Sequence, residues 1–485
     1  MQGTCGQGAC HPVIGARIHS SLMTTAVGLV GSSRPAFGEG ATEQPMGALW
    51  ADPRPSPADA YTRRLCGGCH LGTRRANRDD AIVTAGSGCS ACHLASAAGH
   101  PVTVAQPEDR ACAGCHSRSG RVSLGYAGWA ERTDGTPCED PLPWADGRTF
   151  CAQPADVHHA AGLDCVDCHT HNALMGSGRP ARRQADEVEI RCQACHGASW
   201  PAAPFEPAED AFLADRLPRK GITLDGPVRR GVRGTPLWNL RAVGDGWVLP
   251  RKADGAPFPV PATPEDAAHQ QPGHERLSCQ ACHTPLIPTC AECHVRFDPA
   301  GEQWDFGPAA VVAGRWVESG DGFASAPPTL AVNGADRIVP AAPGMILTVD
   351  ASAAGGQVTR RRWFGSFDPH TTQRQARRCE GCHQDPVALG LGAGALSWRD
   401  GEWVFTPAHP DPAAPGAGRD RWVTWAQTEP GRSLKAGVRS LDRAERDRVL
   451  TVGRCLACHR DGAAEPYRRW PEPLVRRDAP CVPMW

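Results

Sequence analysis

Nine times along this 485-residue chain, two cysteines stand three positions apart and a histidine follows the second at once. In chain order these motifs are Cys66-Cys69-His70 (motif 1), Cys89-Cys92-His93 (motif 2), Cys112-Cys115-His116 (motif 3), Cys165-Cys168-His169 (motif 4) and Cys192-Cys195-His196 (motif 5). Cys279-Cys282-His283 (motif 6), Cys290-Cys293-His294 (motif 7), Cys379-Cys382-His383 (motif 8) and Cys455-Cys458-His459 (motif 9) complete the set. Shuffling 23 cysteines and 19 histidines over the chain would give about 0.04 such motifs, so the repetition is not accidental. Two thiols at this spacing match the two vinyl groups on one edge of a haem, to which they add as thioethers, and the next histidine then supplies the proximal nitrogen to iron. Paired thiols can also hold zinc, but zinc gives no reason for a histidine directly after every pair.

Iron with six ligands needs a second axial group. Ten histidines lie outside the motifs: His11, His19, His100, His158, His159, His171, His269, His274, His370 and His409. If the first 38 residues are a removed leader, eight candidates remain for nine irons: His100, His158, His159, His171, His269, His274, His370 and His409. One iron is then expected to take Met46, Met175, Met345, Met484, Lys220, Lys252 or Lys435, or to stay open to a small substrate; alternatively His19 is retained and serves. Spacing along the chain does not assign the pairs. The stretch CGQGACH (Cys5, Cys10, His11) has a wider spacing that could hold a tenth haem, but it precedes the expected leader cleavage and is not counted among the nine.

The chain resembles the multihaem c-type cytochromes, on the strength of the nine motifs running from Cys66 to His459. The stretch PHTTQRQARRCEGCH (Pro369 to His383) is in addition similar to segments of large multihaem cytochromes of metal-respiring bacteria. The resemblance implies nine covalent haem c groups, a periplasmic location or one at or beyond the cell surface, and electron transfer. Partners of that kind are other redox proteins: cytochromes, quinol-linked donors, an outer-membrane conduit or a terminal acceptor.

The motifs need elements to position them, and composition says these are sparse. Glycine (54) and proline (45) together make about a fifth of the chain, while hydrophobic residues are 41%. Motifs 1 to 5 follow one another too closely for a separate domain each, so haems are expected to fill the interior. The expected fold is mostly irregular, with short α-helices around a haem-packed core and a small β-rich insertion around 309–367. All but three of the 51 basic residues are arginine, a bias that suits pairing with cofactor carboxylates as well as a GC-rich genome. The net charge of −1 gives no sign of nucleic-acid binding, and no apolar run is long enough to cross a membrane.

The expected organisation is a leader or signal peptide over 1–38, a Pro-rich lead-in over 39–60, a five-haem domain over 61–200 and a connecting segment over 201–275. A two-haem bridge over 276–299, a β-rich insertion over 300–368, a C-terminal two-haem region over 369–462 and a tail over 463–485 follow. In the connecting segment FEPAEDAFLADRL reads as a helix and GWVLPRKADGAPFPV as a turn between strands. Leu441, Val449, Val452 and Leu456 recur at helical spacing, with Ser440 as N-cap. Cys138 and Cys151, in a Pro- and Gly-rich loop, are candidates for a disulfide in an oxidising compartment, and Cys481 is left over. Pro285 and Pro288 disfavour a helix between motifs 6 and 7. Seven steps of about 3.5 Å hold their attachment points within roughly 25 Å, so close contact between these two haems is expected.

Two functions from different classes fit. The first is a carrier moving electrons along nine haems. The alternative is a multihaem terminal reductase of a small oxyanion or nitrogen compound, acting at a haem without a distal histidine; against it, no Cys-x-x-Cys-Lys motif is present. A haem-built filament is a third reading that one sequence does not test.

Overall fold

The structure, a computed structural model, describes residues 11–72, 88–97, 100–117, 125–133, 135–144, 147–266, 268–290, 292–366, 368–408, 432–433, 437–456 and 459. His409, Cys458, Cys5, Cys10, Cys481, Lys435 and Met484 lie outside these.

Most motifs occupy single helical turns. Ser90–His93, Asp109–His116, Cys165–Cys168, Cys192–His196, Cys279–His283 and Glu380–His383 are short helices, and motif 1 ends in a 3₁₀ turn, Gly67–Cys69. Positions three apart share one face of a helical turn, so both thiols of a motif point the same way. Local caps fix where these turns begin. The Ser278 hydroxyl accepts from the Ala281 amide ahead of motif 6, and Asp164 and Asp167 form a reciprocal capping box on motif 4.

Motif 7 departs from this pattern. Cys293 and His294 lie in the strand Glu292–Asp305, within a seven-stranded sheet. That strand pairs antiparallel with Ala310–Asp321 and parallel with Ile338–Asp350, Cys293 standing opposite Gly320 and Leu347. The sheet continues through Val358–Ser366 and Thr329–Val332 to Arg439–Ser440. β-structure thus starts before the expected insertion and recruits a strand from far downstream, because alternating residues such as Val295 and Val349 bury one face. A second sheet of five strands runs from Ala202–Pro204 to Pro257–Val260, and carries the expected hairpin Gly246–Pro250/Pro257–Val260. The expected helix of this region is Ala211–Arg219, capped by Asp210.

Side-chain cores are small, and most of them touch a motif. Phe37, Val295, Trp316, Val349 and Trp363 pack with Cys293. Leu330, Leu389, Leu441 and Leu450 pack with Ala281 and Cys382. Leu163, Leu237, Leu240 and Leu249 pack with Ala194 and Cys195, and Val30, Met46 and Leu49 with Cys66.

The segment expected as a leader is built into this packing. It forms helices Pro12–Ile18, Leu22–Thr25 and Val27–Ala36. Val30 and Phe37 are buried, Arg34 pairs with the buried Asp59, and the Thr359 hydroxyl donates to the Ala36 carbonyl. The last long helix, Arg443–Cys455, is capped by Asp442 rather than Ser440: Asp442 and Glu445 form a capping box, while Ser440 ends a strand.

Candidate haem sites

Among the described residues, four motif histidines face a non-motif histidine across a gap. His169 faces His370 with ring centres 6.1 Å apart and planes 13° from parallel. His283 faces His269 at 6.2 Å and 14°, and His383 faces His274 at 6.0 Å and 30°. His196 faces His158 at 6.0 Å and 51°. A metal–imidazole bond is about 2 Å and the ring centre lies about 1.1 Å behind the nitrogen, so two imidazoles on opposite sides of one iron stand about 6.2 Å apart. The four intervals match this distance, and the chemistry of the donors fits it.

The other ring nitrogen is spoken for in six of these eight histidines. A metal-binding imidazole commonly donates its second N–H to an oxygen, which fixes tautomer and ring orientation. Among the described residues seven histidines do so through Nδ1, leaving Nε2 for a metal. His93 donates to the Val104 carbonyl (2.9 Å), His196 to Pro261 (2.7 Å), His283 to Gln373 (3.0 Å) and His383 to Val449 (2.7 Å). His370 donates to the Asp368 carbonyl (3.1 Å), while His158 and His269 donate to carboxylates, Asp156 and Asp266, each at 2.8 Å. Burial pushes the His169 imidazole down to about 4, with the neighbouring His370 and His116 adding to the effect. Burial likewise lowers His370, His196, His274 and His383. These rings are held neutral, the form that binds metal.

The remaining candidates behave differently. His171 commits its Nε2 to the Asp210 carboxylate at 2.9 Å and stacks on Phe212. His159 meets Tyr126 edge to face at 5.1 Å. His100 lies in the strand His100–Thr103. His294 of motif 7 turns its Nε2 to Glu292 at 3.2 Å. Of the other candidate ligands, Met46 is buried in the cluster that packs on Cys66, and Lys220 and Lys252 both lie over the Trp238 ring.

Motifs distant in sequence meet here. The Cys192 and Cys279 thiols, and those of Cys112 and Cys165, lie close enough to perturb one another's ionisation. The backbone of 368–377 threads between motifs 4, 6 and 8: the Gln373 amide donates to the His283 carbonyl, and the Arg377 amide to that of Cys282. Motif 6 therefore neighbours motifs 5 and 8, whereas motif 7 joins motif 1, Cys293 sharing a cluster with Tyr61 and Leu65.

Arg229 is a feature that sequence reasoning did not single out. It is buried beside Cys195 and stacked on Trp247 at 4.0 Å, and its Nε has no hydrogen-bond partner. Among the described residues no carboxylate pairs with it, so it is available to an acidic group such as a haem propionate. Cys138 and Cys151 form a disulfide, with Cα atoms 5.4 Å apart.

Residues 81–121, spanning motifs 2 and 3, match a family model described as a doubled CXXCH motif. No curated protein and no solved structure matches the chain. The motif match indicates a haem-binding, c-type cytochrome-like protein that holds haem c covalently.

Proposed function

We propose that this protein is a multihaem cytochrome c that passes electrons among nine haems outside the cytoplasm, in anaerobic respiration of the kind found in metal-respiring bacteria. The observation that carries the reading is the set of four histidine pairs spaced for a shared iron. Bound through these residues, haem supplies one-electron iron chemistry. The chain supplies everything around it. Thiols fix the position of each group, Nδ1 hydrogen bonds aim the histidines, and neighbouring motifs held by segment 368–377 keep transfer steps short. The Cys138–Cys151 disulfide supports an oxidising compartment, and its redox partners there are other cytochromes, quinol-linked donors or a terminal acceptor.

Haem quantitation of the purified holoprotein tests this reading. Nine haems per chain is the expected result, and four or fewer removes it. A reductase of a small oxyanion or nitrogen compound is the second reading. One observation favours it: His171 gives its Nε2 to Asp210, which deepens the shortage of distal histidines. A high-spin population in the oxidised protein's electron paramagnetic resonance (EPR) spectrum, responsive to added small ligands, would select it.

A further inference from the structure

Asp156 caps the short helix Val157–Ala160 and is 2% exposed. Its Oδ1 accepts both the backbone N–H of His158 (2.9 Å) and that residue's Nδ1–H (2.8 Å). Its Oδ2 accepts the backbone N–H of Thr372 at 2.6 Å. Two further bonds reinforce the same junction. The Val157 amide donates to the Thr372 carbonyl at 2.8 Å, and the Gln373 side chain donates to the Ala155 carbonyl at 2.6 Å.

The two segments joined here each carry a histidine that faces a motif. His158 faces His196 of motif 5, and His370, two residues before Thr372, faces His169 of motif 4. We infer that Asp156 is a positioning residue shared by two haem sites, orienting the distal histidine of motif 5 directly and that of motif 4 through the backbone of segment 370–373. This rests on the haem-binding reading above. The two sites are then coupled: one carboxylate sets the ligation of both.

The two ligands are not treated alike. His158 donates to a carboxylate, whereas His370 donates to the Asp368 carbonyl. A carboxylate acceptor makes an imidazole more basic and stabilises oxidised iron, so Asp156 lowers the potential of the motif 5 site below what a carbonyl acceptor at the same histidine would give. Asp266 offers the same group to His269, but it is about half exposed, so water competes for that carboxylate, and among the described residues no second ligand segment hangs from it.

The test compares full-length holoprotein with the D156A, D156N, D266N, H158A and H370A variants, reading haem content, the low-spin EPR intensity and the midpoint potentials. With haem content unchanged, D156A is expected to lose two haem equivalents of low-spin signal, the sum of the single losses in H158A and H370A. D156N retains one acceptor oxygen, and is expected to raise the midpoint of the motif 5 haem while moving that of motif 4 less. D266N is expected to affect one haem only. Retention of all low-spin signals in D156A, a change confined to one haem, or an equal change at every haem would overturn the inference. If D156A does not accumulate, D156N decides by the midpoints: no shift, a shift confined to one haem, or an equal shift at every haem would overturn the inference. A wild-type protein with the full haem count but no low-spin signal would instead overturn the histidine pairing itself.

Discussion

A histidine that binds iron needs one nitrogen for the metal and one for the protein. That division separates the candidates here. His370, His269 and His158 anchor Nδ1 and leave Nε2 for a metal, whereas His171 spends Nε2 on Asp210. H370A is accordingly expected to convert one haem from low to high spin with full haem content, and H171A to leave the low-spin count as it was; EPR of the oxidised variants checks both. The motifs themselves are legible in the sequence, because each is contiguous. The pairings are not. His169 and His370 lie far apart in sequence, and only folding of the segment 368–377 against Asp156 brings them together.

At the scale of elements, the helix Arg443–Cys455 shows how a motif is held. It delivers Cys455, and Gly453 lets it approach motif 8, since a Cβ there would stand 2.2 Å from the His383 carbonyl oxygen. Its start is clamped by Glu445, which accepts from Arg439 at 2.7 Å, pairs with Arg276 and closes the capping box with Asp442. The Arg439 hydrogen bond, outweighing burial, holds the Glu445 carboxyl at about 2, below its ordinary 4.5. A depressed carboxylate stabilises the fold above its ordinary value and stops doing so as pH falls through its folded value. Stability is therefore expected to drop between about pH 4.5 and pH 2 through this clamp, and E445Q to flatten that part of the profile while costing about 1–2 kcal/mol at neutral pH. Thermal unfolding across pH measures both. Periodicity gave this helix away, with its start misplaced by two residues because Ser440 was needed as a strand partner of Ala331. The extent of the large sheet was hidden for a related reason: its strand Glu292–Asp305 begins inside a haem motif, where the cysteine pattern masks strand alternation.

Across the whole molecule, apolar side chains gather in small clusters rather than one core, and several of these clusters rest against motif residues such as Cys66, Cys195, Cys293 and Cys382. Such clusters bury little surface each, and a chain this rich in glycine loses more freedom on folding than they return. The chain made without haem attachment is therefore expected to lack a cooperative unfolding transition, which calorimetry against the holoprotein checks. A sharp transition in the haem-free chain would mean that the side-chain clusters suffice. Composition did not show how much regular structure the chain carries, 29% helix and 28% strand in many small sheets. It also did not reveal that Ala36 and Phe37 pack with residues of the large sheet and that Arg34 pairs with Asp59, contacts between segments far apart in the chain.

Chains are made from the N-terminus, and the four histidine pairs do not become complete in the same way. His158, His269 and His274 are each synthesised before the motif histidine they face, so their partners meet a waiting ligand. His169 is the reverse: it emerges long before His370. On the proposed pairing, the motif 4 site stays half-built, open on one side until the last quarter of the polypeptide arrives to close it.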